Sequence, residues 1–157
     1  MYFAVIAVIV AIDQIVKYIV RTGLSLGEII PVLGDFLTIS LHYNTGAAFS
    51  MMEGYRMILT ILPATLIIVL VVYIFIKRKD ENKLLLLALS IIVGGGLGNL
   101  IDRILMGQVT DFISVGSFPV FNIADMCVVC GCGLVIIYLL FFDKKTKDTS
   151  DGAVKRN

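Results

Sequence analysis

Four long apolar runs alternate with shorter polar connections along this chain. They extend from Tyr2 to Val20, Met57 to Ile76, Leu84 to Ile104 and Phe121 to Phe142. Each is close to the ~20 residues a helix needs to cross a hydrocarbon core about 30 Å thick. A different period occupies the connection between the first two. In Phe36-Leu-Thr-Ile-Ser-Leu-His-Tyr43, the apolar residues Leu37, Ile39, Leu41 and Tyr43 alternate with Thr38, Ser40 and His42, which predicts a half-buried strand. Asn44-Thr-Gly46 reads as a turn, and Ala47 to Met52 as a short helix on the membrane surface. The predicted protein is mostly α, with four transmembrane helices and a small β platform beside one membrane face.

Composition agrees. The chain has 157 residues, 59% of them hydrophobic, as expected of an integral membrane protein. Four crossings use about half of it, which leaves room for one integral-membrane domain over 1–157 and none for a second globular one. The first run is expected to be a retained helix and not a cleaved leader. Its extreme N-terminus has no Lys or Arg, no small-x-small site follows it, and Asp13 interrupts it.

The net charge of +1 points to no nucleic-acid partner, but its distribution predicts topology. Lys77, Arg78, Lys79 and Lys83 crowd the connection after the second run, and Lys144, Lys145, Lys147, Lys155 and Arg156 crowd the tail. The connection from Thr22 to Arg56 has one basic residue at its end, and that from Leu105 to Val120 has none. Both termini are therefore expected in the cytoplasm, with the two poorly charged connections outside. The basic tail suits anionic membrane lipids, and residues 143–157 are expected to be disordered.

This topology brings four carboxylates to one depth. Asp13 lies two-thirds of the way out along the first helix, and Asn99, Asp102 and Arg103 fall in the last turns of the third. Asp111 follows in the outer loop, and Asn122 and Asp125 open the fourth helix. A charged residue at mid-helix costs at least ~2.5–3.5 kcal/mol on insertion, so such crowding calls for a function. Asp13 and Lys17, at i,i+4, form either a buried ion pair that sets helix position or a support for a catalytic neighbour. Arg103 either neutralises Asp102 or turns its five donors on peptide carbonyls or a lipid head.

Asp111 and Asp125 are the candidate catalytic pair. Two interacting carboxylates hold one proton between them. The charged one takes a proton from water, which attacks a peptide carbonyl, and the neutral one hydrogen-bonds that carbonyl. Spacing alone equally allows a proton-coupled transporter that uses the same carboxylates. Other residues read as structural. Gly94 and Gly98 permit close helix approach, and His42 is expected at the surface. Cys127, Cys130 and Cys132 lack the partners of a zinc module and read as small apolar fillers; no metal or cofactor is implied.

Five blocks, taken in order, resemble the bacterial lipoprotein signal peptidase family, signal peptidase II. They are Asp13-Gln-Ile-Val-Lys17, Asn44-Thr-Gly-Ala-Ala-Phe49, Gly98-Asn-Leu-Ile-Asp-Arg103, Val109-Thr-Asp-Phe112 and Phe121-Asn-Ile-Ala-Asp125. The resemblance implies an aspartic endopeptidase at the outer face of the bacterial plasma membrane. Such an enzyme removes the signal peptide from diacylglyceryl-modified prolipoproteins, cutting before the lipidated cysteine, and is expected to act as a monomer. It implies a catalytic role for Asp111 and Asp125. Asn44, Gly46, Asn99, Arg103 and Asn122 would line the substrate site or orient the dyad, with Asp13, Lys17 and Asp102 as structural support. The implied fold is a four-helix bundle with an outer β-cradle and a surface helix.

Overall fold

A computed structural model of the protein describes residues 1–46 and 55–142. The order of elements is α1 (Tyr2–Gly23), β1 (Ile29–Leu33), β2 (Leu37–Asn44), α2 (Tyr55–Lys77), α3 (Lys83–Met106), β3 (Val109–Val115) and α4 (Ile123–Phe141). All four helices are long and apolar enough to cross a membrane. Their outward faces carry exposed large side chains such as Ile15, Ile19, Leu62, Phe75, Val129 and Ile136. Exposed apolar surface on this scale suits hydrocarbon and not water, so the chain is a multi-pass membrane protein. The expected surface helix at Ala47–Met52 and the tail at 143–157 lie outside the described residues.

Helix α3 is the centre of the bundle. It starts at Asn82, whose side chain accepts from Leu84 N at 2.8 Å, and ends at Gly107 in the left-handed conformation, a common helix stop. Its buried residues include Ser90, Gly94, Gly95, Gly98, Asn99 and Asp102. Helices α1 and α3 run side by side in the same direction: Tyr2, Ile6 and Leu86 share one apolar cluster with Ile67 and Ile74 of α2, and Lys17 meets Asn99. Helix α4 runs the other way.

The glycines of α3 make this packing possible. A Cβ on Gly94 would lie 2.9 Å from Ile9 of α1, and one on Gly98 would lie 2.5 Å from Asp13 Oδ2. A Cβ on Gly95 would collide with the backbone carbonyl of Ala124 on α4. The small-residue reading of Gly94 and Gly98 therefore holds, with Gly95 as a third contact. The filler reading of the cysteines holds only for Cys127, which is half-buried near Gly95. Cys130 and Cys132 are exposed, because the turn of α4 carries them to its outer face.

A three-stranded antiparallel sheet, in the order β1-β2-β3, sits at one end of the bundle. Leu41 and Phe112 pack it onto Val20 near the end of α1. Two expectations need correction here. Asp111 lies in strand β3 and not in a loop. The alternation along β2 is also broken, since Ser40 and Leu41 are both buried while Tyr43 is exposed. The cause is a bulge: Ile39 pairs with Ile113 and His42 with Asp111, so Ser40 and Leu41 together face Phe112.

The packing predicts that Gly95→Ala destabilises the protein by about 1–3 kcal/mol, because backbone cannot yield to the added methyl. Gly133→Ala, with nothing within 4 Å of its added Cβ, should leave the melting temperature in detergent unchanged or slightly higher.

Candidate active site

The site forms where the sheet meets the ends of α1 and α3 and the start of α4. The charged base of this region is a buried cluster. Lys17 is fully buried, and its Nζ lies 2.9 Å from Asp13 Oδ2 and 3.3 Å from Asp102 Oδ2. It also donates to Asn99 Oδ1 at 2.9 Å. Asp13 Oδ1 accepts from Ala124 N at 3.0 Å, tying α1 to the first turn of α4. Asp102 ties α3 to both α1 and β3. It accepts from Gln14 Nε2 at 3.2 Å, from Arg21 Nη1 at 3.3 Å and from Thr110 N at 2.9 Å.

Arg103 takes no part in this cluster. Asp102 and Arg103 are about 100° apart around the helix, so one points into the bundle and the other to its side. Arg103 instead lines a small cleft with Asn44, Thr45, Leu59, Thr60, Gly107 and Gln108. Arg21 and Lys17 do the neutralising that was open to Arg103. Three partners were missed from sequence: Gln14, Arg21 and Thr110. Arg21 lies one turn beyond Lys17 on the face that carries Asp13, a signal the i,i+4 rule could have used.

Above the cluster, three amide side chains and one backbone N–H hold the two carboxylates. Asp111, 3% exposed, accepts from Asn44 Nδ2 at 3.0 Å and from Asn122 Nδ2 at 2.7 Å, one on each oxygen. Asp125, half-buried, accepts from Asn99 Nδ2 at 2.7 Å and from Asn122 N at 3.2 Å. Asn122 Oδ1 in turn accepts from Asp125 N at 3.0 Å. Asn122 and Asp125 are therefore the two halves of a capping box at the start of α4, which sets the carboxylate at the positive end of the helix.

Local backbone explains each placement. The bulge in β2 matters most, because a one-residue slip reverses the side-chain faces of a strand. With His42 opposite Asp111 and Asn44 two residues on, Asn44 shares the face of Asp111 and reaches it diagonally. Without the bulge it would point away. Gly46, at φ +77°, then gives its N–H to Asn44 Oδ1 at 2.9 Å, which leaves Nδ2 directed at Asp111. On the other side, Phe112 N and Ile113 N donate to Phe121 O, and Phe121 N donates back to Ile113 O. The nine residues from Phe112 to Val120 thus fold back so that Asn122 lies against Asp111.

Burial pushes the Asp111 carboxyl above the usual aspartate range. The nearby charge of Asp125 acts in the same direction, while the hydrogen bonds from Asn44 and Asn122 oppose it. The two carboxylates are thus near enough for the charge of Asp125 to act on Asp111. Beside Asp125, a cavity of about 250 Å³ is walled by Phe118, Phe121, Met126, Val129 and Cys130. The expected residues Asp13, Lys17, Asn44, Asn99, Asp102, Asp111, Asn122 and Asp125 all join one connected network. Gly46 acts on it through Asn44, and Arg103 stands at its side. His42 is exposed, as expected, with Nε2 3.0 Å from Ser40 Oγ.

Comparison with known proteins gives the family of the chain and its fold. Residues 5–141 match the family described as Signal peptidase (SPase) II. The lipoprotein signal peptidase of Shouchella clausii is 38% identical over 148 residues, covering 94% of this chain and 97% of that protein. That of Staphylococcus aureus is 41% identical over 155 residues, covering 96% of this chain and 93% of its own length. Two bacterial membrane enzymes solved by the in meso method superpose with TM-scores of 0.83 and 0.79, each at 39% identity. The first match covers 90% of this chain and 93% of the other, the second 96% and 90%. In fold and over nearly its whole length, this chain belongs to the signal peptidase II family.

Proposed function

We propose that the protein removes signal peptides from prolipoproteins, with Asp111 and Asp125 as its catalytic dyad. The observation that carries this is the pair itself: two coupled carboxylates, delivered by β3 and the first turn of α4, and held by amide donors. The ionised member takes a proton from a water molecule, whose oxygen adds to the scissile carbonyl carbon. The neutral member donates to the carbonyl oxygen as it gains charge. Collapse of the tetrahedral intermediate breaks the C–N bond, and the carboxyl that received the water proton returns it to the departing nitrogen. Water, both carboxyls and the peptide bond balance without another nucleophile.

The substrate would be a prolipoprotein whose cysteine carries a diacylglyceryl group, cut just before that cysteine. Each buried acyl methylene contributes about 0.8 kcal/mol of membrane anchoring, so the bilayer holds the scissile bond near the interface. With Lys77, Arg78, Lys79 and Lys83 at the opposite end of the bundle, the charge rule puts the sheet end outside the bacterial plasma membrane and both termini in the cytoplasm. Membrane lipids are the solvent partner, and one copy supplies both carboxylates, which suits a monomer built as one domain. Arg103 and the cleft beside Asn44 would receive the extended peptide. The transporter reading is not supported: the family is a peptidase family, and the carboxylates gather at one end instead of the midplane, where transporter sites usually lie.

The deciding experiment is cleavage by purified protein in detergent of a diacylglyceryl-modified prolipoprotein and its unmodified twin. Only the lipidated form should be cut. Asp111→Asn and Asp125→Asn should each lower kcat by about 10²–10⁴-fold while keeping a cooperative melt. Full activity in either folded variant would remove that residue from the dyad.

The pH profile should be bell-shaped, since activity needs one proton on the pair. Asn44 holds Asp111 down by donating to its charged form, so its loss should let the proton stay on to higher pH. Asn44→Ala is expected to move the alkaline limb of the kcat profile upward, with the acid limb less affected.

A further inference from the structure

We infer that Lys17 is a positioning residue for peptide hydrolysis: its ammonium fixes the amide of Asn99 and so directs a donor onto Asp125. This rests on the peptidase reading above and gives Lys17 a part beyond supporting the scaffold. An amide side chain has an accepting and a donating end of nearly equal shape, and its neighbours decide which end points where. An ammonium has three donors and no acceptor. Lys17 spends all three, on Asp13 Oδ2 at 2.9 Å, Asn99 Oδ1 at 2.9 Å and Asp102 Oδ2 at 3.3 Å. Turning the Asn99 amide over would set its NH₂ against the ammonium. Oδ1 must therefore face Lys17, and Nδ2 is left 2.7 Å from Asp125 Oδ1.

The second arm of the dyad feels the same cation less directly. Asn99 Oδ1 also accepts from Asn122 Nδ2 at 3.0 Å, and that nitrogen donates to Asp111 Oδ1 at 2.7 Å. Asn122 has only two amide hydrogens for three acceptors, the third being Thr110 O at 3.3 Å. Its hold on Asn99 is thus shared, whereas that of Lys17 is a dedicated bond from a charged donor, the stronger kind. The positive charge of Lys17 is also felt at Asp111.

Other ionisable groups are arranged differently. On α1, Asp13 accepts from Lys17, and Arg21 is engaged with Asp102 and Thr110. On α3, Arg103 lines the side cleft. His42 of β2 is paired across from Asp111, and its ring contacts Ser40. Among the described residues Lys17 is the cation that donates to Asn99.

A merely structural Lys17 and an orienting one predict different kinetics. The test compares Lys17→Met with Asp13→Asn, using the lipidated prolipoprotein, thermal melts and full pH profiles. Both substitutions break the Lys17–Asp13 pair, but only the first removes the donor to Asn99. Lys17→Met should lower kcat by about 10- to 100-fold, the scale of one charge-assisted hydrogen bond, with KM little changed. Its acid limb should move to higher pH, because the ionised dyad has lost support. Asp13→Asn should lower the melting temperature, with a loss of kcat and a movement of the acid limb both smaller than those of Lys17→Met.

The double variant Asp13→Asn/Lys17→Met leaves no unpaired charge at that position, because Asp102 keeps Arg21. It serves where the single variant does not fold, and should show the kinetic loss of Lys17→Met. A folded Lys17→Met or double variant with wild-type kcat and profile, beside active wild type, would overturn the inference and leave the peptidase reading intact. Wild type that cleaves neither substrate would overturn both.

Discussion

An ammonium sealed from solvent must give every proton to a protein acceptor, and the position of Lys17 imposes that demand on two helices at once, α1 and α3. Asp13 and Asp102 answer its charge, and Asn99 takes its third proton. Each partner is then bound to something else: Asp13 to the backbone of α4, and Asp102 to Arg21 and the backbone of β3. Removing one member of a buried pair typically costs about 3–5 kcal/mol, because its partner is left charged and alone. The cluster therefore joins α1, α3, α4 and the sheet at the one place where they must stay in register.

The proposed dyad is held on that base by neutral groups. Asn44, Asn99 and Asn122 provide donors to both carboxylates without adding charge, and each has its own orientation fixed by a different device. Gly46 N–H sets Asn44, the helix cap of α4 sets Asn122, and Lys17 sets Asn99. At Asp111, donors favour the ionised form while burial and the neighbouring carboxylate oppose it, and the balance holds its carboxyl above the usual aspartate range.

The helices were legible because a span must satisfy its own backbone and present apolar side chains along its whole length. The four predicted runs differ from the observed helices by only a few residues at their ends. The sheet was harder. The period of β2 marked a strand, but Pro31 weakened any strand signal in Ile29–Leu33, and Val109–Val115 is buried at its first four positions, which erases alternation. Asp111 was consequently expected in a loop. Candidate residues were legible as types, since carboxylates and amides in apolar surroundings stand out by their burial cost.

Sequence alone thus determined the four membrane helices, the group of polar residues at one end of them and the family resemblance carried by five short blocks. Hydrophobic length and residue chemistry are local properties, readable without knowing neighbours in space. Tertiary structure decided which polar groups meet. A bulge of one residue turned Asn44 toward Asp111, and an angular step of one residue on α3 separated Asp102 from Arg103. It also linked Gln14, Arg21 and Thr110 to the charged base. Such pairings depend on register and helix rotation between segments up to about a hundred residues apart, which no pattern along the chain specifies.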